Sequence, residues 1–223
     1  GWRNETYAVY SQVYGAIGDP RCIAFTMERS AAVLFGVVTF GVHLNLYTRC
    51  PHSGAIRMWI ARRSSTKPTW PDRLDNAVAG GIAHGDSIYR TAMKECLEEA
   101  NLPEEQASKA GSNTSYHCCM LIRRCRLDLS LGLAPEIQYV YDLALPPDTL
   151  LTPNDGEVGR FYLWDMHEVR AHLEADEFKP NCGMVVIDFM FRHGLLDVTE
   201  PGYRELQQRL HRRLVLDDYA PLN

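Results

Sequence analysis

The sequence predicts an α/β protein: a mixed β-sheet sandwiched between helices, with a strand and helix extension in front and helices at the C-terminal end. Two observations carry that expectation. Apolar residues alternate along stretches on both sides of Gly80 and Gly81, the period of strands, whereas the segment after the glycines and those beyond residue 165 repeat apolar residues at helical spacing. The chain also has the bulk to cover a sheet: 223 residues, 46% of them hydrophobic, suit one large or two small domains with a sizeable core.

Taken in order, Tyr7, Val9 and Tyr10 mark a short strand, and the residues through Asp19 and Pro20 read as a loop. Residues 22–48 hold a strand, a helical turn at 29–34 and a second strand at 37–46, punctuated by Gly36 and Gly41. After a polar turn at 51–54, Ile56, Met58 and Ile60 alternate with Arg57, Trp59 and Ala61, giving a strand with two chemically different faces. Residues 64–81 are rich in proline and read as a long loop that delivers Lys67, Arg73, Asp75 and Asn76 to the glycines. Such a loop carries binding groups or is a solvated connector, and the sequence supports both. A helix is expected from Asp86 or Ser87, both good cap residues, with Ile88, Ala92, Cys96 and Leu97 facing inward. A polar stretch beyond Pro103 leads to two strands, 115–127 and 136–145, which fit a hairpin joined across 128–135. Asn154, Asp155 and Gly156 turn the chain into another strand, and 167–173, 180–194 and 202–215 read as helices. Residues 1–50 are expected to be an N-terminal extension packed on the core, and 51–223 the main domain with its C-terminal helices.

Composition excludes several function classes. A net charge of −5 argues against a nucleic-acid binding stripe. Seven cysteines without a C-x-x-C indicate neither a zinc knuckle nor a redox pair, and point to a reducing compartment. No apolar run approaches the roughly 20 residues of a membrane span. A cytoplasmic location is therefore expected, allowing that a targeting peptide was removed, because the chain opens Gly-Trp-Arg instead of with Met.

The chemistry concentrates in Glu95, Glu98 and Glu99. Residues three and four apart share a helix face, so these carboxylates project to one side and repel each other. A hard divalent cation, Mg²⁺ or Mn²⁺, relieves that repulsion, since it takes oxygen ligands between protein carboxylates and substrate phosphates. A bare E-x-x-E-E also occurs on ordinary solvated faces; the ordered glycines ahead of it argue for a site. Later in the chain Glu157, just before an apolar strand, is a candidate ligand or base, with a strand-edge surface acid as an equal alternative. Arg62, Arg63 and Lys67 are the nearest basic cluster for phosphate contact, although surface solvation explains each of them as well.

The spacing resembles the signature of the Nudix hydrolases, G-x₅-E-x₇-R-E-U-x-E-E-x-G-U with U bulky and apolar. Here Gly80 is followed by five residues and Asp86, then seven residues and Lys94-Glu95-Cys96-Leu97-Glu98-Glu99-Ala100-Asn101-Leu102. Asp86 and Lys94 keep charge but lose a methylene and a bidentate fork, Cys96 takes an apolar place, and Asn101 replaces the closing glycine as the next best left-handed cap. The resemblance implies the Nudix fold, Mg²⁺ or Mn²⁺ held by Glu95, Glu98, Glu99 and the Gly80 carbonyl, and Glu98, Glu99 and Glu157 as catalytic acids. Arg62, Arg63, Lys67 and Asp75 are placed as substrate contacts. The partner it implies is a small-molecule diphosphate, and a homodimer is a common state of such proteins. Stretches outside the box, including WRNETYAVY, ERSAAVLFGVVTFGVHLN, WIARRSSTKPTWPDRLDNAVAGGI and KPNCGMVVIDFMFRHG, are similar to the thiamine pyrophosphokinase-related Nudix subgroup. That similarity implies hydrolysis of thiamine diphosphate, or of its damaged analogues, to the monophosphate. A Nudix hydrolase of nucleoside diphosphate derivatives such as ADP-ribose, and a Nudix-like binding module without catalysis, are the alternatives.

Overall fold

The computed structural model describes residues 2–11, 19–110, 116–127 and 130–211. Nine strands and six helices are assigned among them: β1 (Thr6–Tyr10), β2 (Ile23–Glu28), α1 (Ala32–Phe35), β3 (Thr39–Arg49), β4 (Ile56–Arg63), β5 (Leu74–Asn76), β6 (Val78–Gly81), α2 (Ile88–Ala100), α3 (Glu104–Ala110), β7 (Tyr116–Leu127), β8 (Ser130–Ala144), β9 (Val158–Asp165), α4 (Met166–Glu174), α5 (Pro180–Arg192) and α6 (Tyr203–Leu210). Seven strands form one sheet in the order β5-β4-β3-β8-β7, with β6 also paired to β3 and β9 to β4. The β3–β8 pair is parallel and the other pairs of this sheet are antiparallel, so the sheet is mixed, as the sequence predicts.

β3 sits at the centre and sorts the molecule. Its Val42, Leu44 and Leu46 join the cluster under α2, while Tyr47 joins the cluster under α4 and α5. β4 divides the same way: Trp59 faces the α2 layer, and Ile56, Met58 and Ile60 face the α5 layer. The alternation read in this strand therefore reflects two covered faces. Side-chain period 2 places successive residues in different cores.

β1 and β2 pair only with each other, as an antiparallel ribbon separate from the main sheet. Division of the chain at residue 50 would cut β3 from the strands it pairs with; the part that stands apart in topology is the ribbon.

Several local expectations change. The stretch 64–81 is not all loop, because β5 and β6 lie within it. Their polar and glycine residues (Asp75, Asn76, Gly80, Gly81) give no apolar alternation, and pairing with β4 and β3 holds them extended. The polar stretch beyond Pro103 contains α3. Leu97, expected inward, is 48% exposed, and Glu99 takes the buried place beside Cys96. The hairpin is present as β7 and β8, but their pairing runs to Leu127 opposite Ser130, so the join is shorter than 128–135.

Candidate active site

α2 begins at Ser87, whose hydroxyl accepts the Arg90 N–H at 3.2 Å, and ends at Asn101 in the left-handed region at φ 51°. There the N–H groups of Asn101 and Leu102 close onto the carbonyls of Leu97 and Cys96, as a helix of this kind requires of its last turn. Asp86 and Lys94 each find a partner one turn along the helix: Asp86 meets Arg90 at 3.5 Å and Lys94 meets Glu98 at 3.6 Å. Between these caps, Ala92, Cys96 and Ala100 anchor the helix in the core, which fixes the direction of the glutamates.

β6 packs against α2 and brings Gly80 to Glu95. A Cβ on Gly80 would collide with the Glu95 carboxyl group, and one on Gly81 would collide with the Tyr7 hydroxyl. Glycine is thus needed here for close approach. Glu99 is 7% exposed, and its Oε2 accepts the Ala79 N–H at 2.8 Å. Glu98 lies at the outer edge of the group, with its side chain 46% exposed.

Burial sets the electrostatics. It pushes the Glu95 carboxyl up to about 7, with Lys94 opposing and the charges of Glu98 and Glu157 adding to the rise. Burial likewise raises Glu99 well above the usual carboxylate range, reinforced by Glu95 and only partly offset by the Ala79 N–H. Desolvation and like charge both disfavour ionisation. A site that makes its acids this uncomfortable alone fits a divalent cation: the donors are hard carboxylate oxygens beside a backbone wall cleared of side chains.

A cavity of about 690 Å³ opens over this wall, lined by Gly80, Gly81 and Glu99 as well as Arg63, Lys67 and Glu157; Glu95, behind Gly80, and Glu98 are not part of its lining. Glu157 follows the Asn154–Gly156 turn, where its N–H bonds Asp155 Oδ1 at 2.8 Å, and its carboxylate pairs with Lys67 Nζ. Its charge is felt at both Glu95 and Glu99. Two expected contacts sit elsewhere. Arg62 is absent from the cavity lining and bonds the Tyr162 hydroxyl at 3.2 Å, the Asp72 carbonyl at 2.8 Å and Glu177 at 3.4 Å, on the sheet's other side. Alternation along β4 sends it opposite to Arg63. Asp75 is buried under the cavity floor, 2.7 Å from Arg63 Nη1.

Sequence reasoning missed the floor. His43 Nδ1 meets Asn76 Oδ1 at 2.7 Å, and the Cys182 thiol donates to Asp75 Oδ1 at 2.6 Å. His43, Asp75 and Cys182 offer donor atoms within 4.8 Å of one another, enough for a metal by distance. The charge balance disfavours it, since Arg63 and Lys179 already face Asp75. The glutamate group is only partly compensated: Lys94 and Arg29 act on Glu95, yet burial still leaves its carboxyl raised, and Glu99 is raised too. Also missed were Tyr7 and Arg29 of the ribbon, which line the cavity from outside the glycine and glutamate motif. No sequence spacing links residues so far from α2; only the expected N-terminal extension over residues 1–50 hinted at an addition.

Residues 49–182 match the NUDIX domain family. Across a wider span, the uncharacterized protein YJR142W of Saccharomyces cerevisiae is 41% identical, covering 96% of this chain and 62% of its own length. Nudix hydrolase 20, chloroplastic, of Arabidopsis thaliana is 36% identical over 96% of this chain and 53% of that protein. The chain therefore spans between half and two thirds of these curated relatives. Among solved structures, DR0079 from Deinococcus radiodurans superposes with a TM-score of 0.52 at 18% identity, covering 93% of this chain and all of that one, a likeness of fold. With the glutamate helix, the glycine wall and the mixed sheet in place, the chain belongs to the NUDIX domain family.

Proposed function

We propose that the protein is a Mg²⁺- or Mn²⁺-dependent hydrolase of a small-molecule diphosphate. The observation that carries this reading is the pairing of Glu95 and Glu99, both shielded and both pushed up by burial, against the side-chain-free wall at Gly80. Glu95, Glu98, Glu99 and the Gly80 carbonyl would hold the cation. When bound, it supplies Lewis acidity and lowers the pKa of its water.

The chain's own residues divide the remaining work. The Ala79 N–H fixes the rotamer of Glu99, so that carboxylate is preorganised instead of searching. Glu157 lines the same cavity, tethered by Lys67, and in this reading accepts a proton from water or orients it. The cavity volume falls within the roughly 300–1,000 Å³ of small-molecule sites and accommodates a diphosphate with a ring attached.

The narrower substrate is thiamine diphosphate or an oxidised analogue, hydrolysed to monophosphate and phosphate. Support for it is the resemblance of the stretches outside the glutamate helix. Incubation with oxothiamine diphosphate and Mg²⁺ should release monophosphate and phosphate, in a panel that includes thiamine diphosphate and ADP-ribose. Turnover of ADP-ribose alone moves the substrate to nucleoside diphosphate derivatives. Tight uptake without turnover of any diphosphate, in Mg²⁺ or Mn²⁺, overturns the hydrolase reading in favour of a binding module.

A further inference from the structure

The family match begins at residue 49, yet part of the cavity wall comes from before it. The β1–β2 ribbon lies against β6 so closely that a Cβ on Gly81 would strike the Tyr7 hydroxyl and stand 3.5 Å from Arg29 Cζ. His84 N–H donates to the Thr6 carbonyl at 2.8 Å, fastening the ribbon there by backbone, while Arg29 N–H closes the ribbon on the Glu5 carbonyl, also at 2.8 Å. Arg29 Nη1 bonds Glu5 Oε2 at 2.6 Å, and its guanidinium lies over the Tyr7 ring at 5.4 Å.

Arg3, Arg29, Arg63, Lys67 and Lys179 line the cavity and differ in what they have left to offer; of the two from the N-terminal segment, Arg29 is the one beside Gly81. Arg63 is committed on all three nitrogens, to Asp75, the Trp70 carbonyl and the Thr69 carbonyl. Lys67 holds Glu157, and Lys179 faces Asp75 from a half-buried position. Arg29 spends one nitrogen on Glu5, keeps 44% of its side chain exposed, and stands within electrostatic reach of both Glu95 and Glu157. A guanidinium carries five N–H donors in a fork that matches phosphoryl oxygens.

We propose that the N-terminal ribbon is part of the active site, and that Arg29, held by Glu5 and Tyr7, binds the phosphoryl oxygens of the diphosphate opposite the glutamate helix. This rests on the diphosphate reading of the site. It makes the 1–48 segment a component of catalysis: a domain cut at residue 49 lacks its phosphate-binding arginine.

The test compares Arg29→Gln and Arg29→Lys with the full chain. Calorimetry with methylenediphosphonate and Mg²⁺, a probe that is not hydrolysed, should show affinity falling at least 10-fold in Arg29→Gln. Partial recovery is expected in Arg29→Lys, which restores charge without the fork. For any diphosphate the wild type hydrolyses, KM should rise more than kcat falls, at unchanged Tm. Glu5→Gln, which loosens the tether alone, should give a smaller loss of the same kind. Wild-type affinity in Arg29→Gln overturns the inference, as does a loss that merely follows a fallen Tm and is equal in Arg29→Lys. If the wild type binds the probe through Arg29 but hydrolyses nothing, the hydrolase reading fails and the ribbon's role stands; if it does not bind the probe, both fail.

Discussion

The acids buried against α2 and those buried beside α5 are treated in opposite ways. On the α2 face, Glu95 and Glu99 are shielded among carboxylates, and burial lifts both above the usual carboxylate range. Beside α5, burial also acts to raise Asp75 and Asp142, but cations outweigh it and both end below that range. Lys179 and Arg63 stabilise the ionised Asp75; His193, Arg192 and Asn45 do so for Asp142. One group is balanced within the chain and the other stays raised until something positive arrives. The difference teaches that burial by itself does not mark a site; burial left uncompensated does.

The largest effect that can break this comparison is on catalysis. Glu98→Gln and Glu99→Gln are each expected to lower kcat by about 10²–10³, the scale of losing electrostatic stabilisation at developing charge. Removing a repelled charge should leave the metal-free Tm equal or higher, because the amide introduced by Glu99→Gln keeps an oxygen for the Ala79 N–H. Steady-state kinetics and scanning calorimetry check both halves. A Glu99→Gln protein that loses stability in proportion to activity would place this acid with those beside α5.

The converse holds for Asp142. Its carboxylate accepts from Asn45 Nδ2 at 3.0 Å and from Arg192 Nη2 at 3.1 Å, and meets His193 Nε2 at 2.9 Å. Asp142→Ala strands the Arg192 charge in a half-buried place and should cost about 3–5 kcal/mol in denaturant unfolding. Activity per folded molecule should stay unchanged, since none of these groups lines the cavity.

Acid sharpens the same contrast. Asp75 and Asp142 have folded-state pKa values below their unfolded ones, so the stability they contribute is present above the ordinary carboxylate range. It is lost as pH falls through that range toward the depressed values. The wild type should therefore lose stability steeply below about pH 4, and Asp142→Asn should flatten that slope while lowering the plateau near neutrality. Unfolding free energy against pH reads both; a slope unchanged by Asp142→Asn would show that this acid is not protonated in the transition.

How much of this contrast could be read beforehand follows from what sequence spacing encodes. The glutamate helix was legible because both caps and the acid triplet are local: Ser87, Asn101 and the i, i+3, i+4 positions lie within one element. Glu157 was legible as a candidate from its place before an apolar strand. Arg62 and Arg63 were not separable as a cluster, yet adjacency in a strand sends them to opposite faces. Arg29, His43 and Lys179 were invisible, because packing of the ribbon on Gly81, pairing of β3 with β6 and the Lys179 N–H bond to the Leu74 carbonyl bring them in from distant segments. β5 and β6 were hidden by residues that serve close approach and buried hydrogen bonds instead of an apolar stripe.

The smallest expected effect concerns the end of α2. Asn101 holds φ 51° and donates from Nδ2 to Thr152 Oγ1 at 3.2 Å, tying the helix terminus to the segment that leads to Glu157. Glycine relaxes the left-handed backbone but gives up this bond, so the two changes oppose, and Asn101→Gly should stay within about 0.5 kcal/mol of wild type. Asn101→Ala gives up the bond and keeps a Cβ in the left-handed region, and should cost about 1–2 kcal/mol. Because Asn154 Nδ2 also bonds the Leu97 carbonyl at 3.1 Å, the 152–157 segment stays attached in both variants. Stability should therefore change without moving KM. A KM that rises in Asn101→Gly, where the helix end is intact, would instead make the Thr152 bond a determinant of where Glu157 stands.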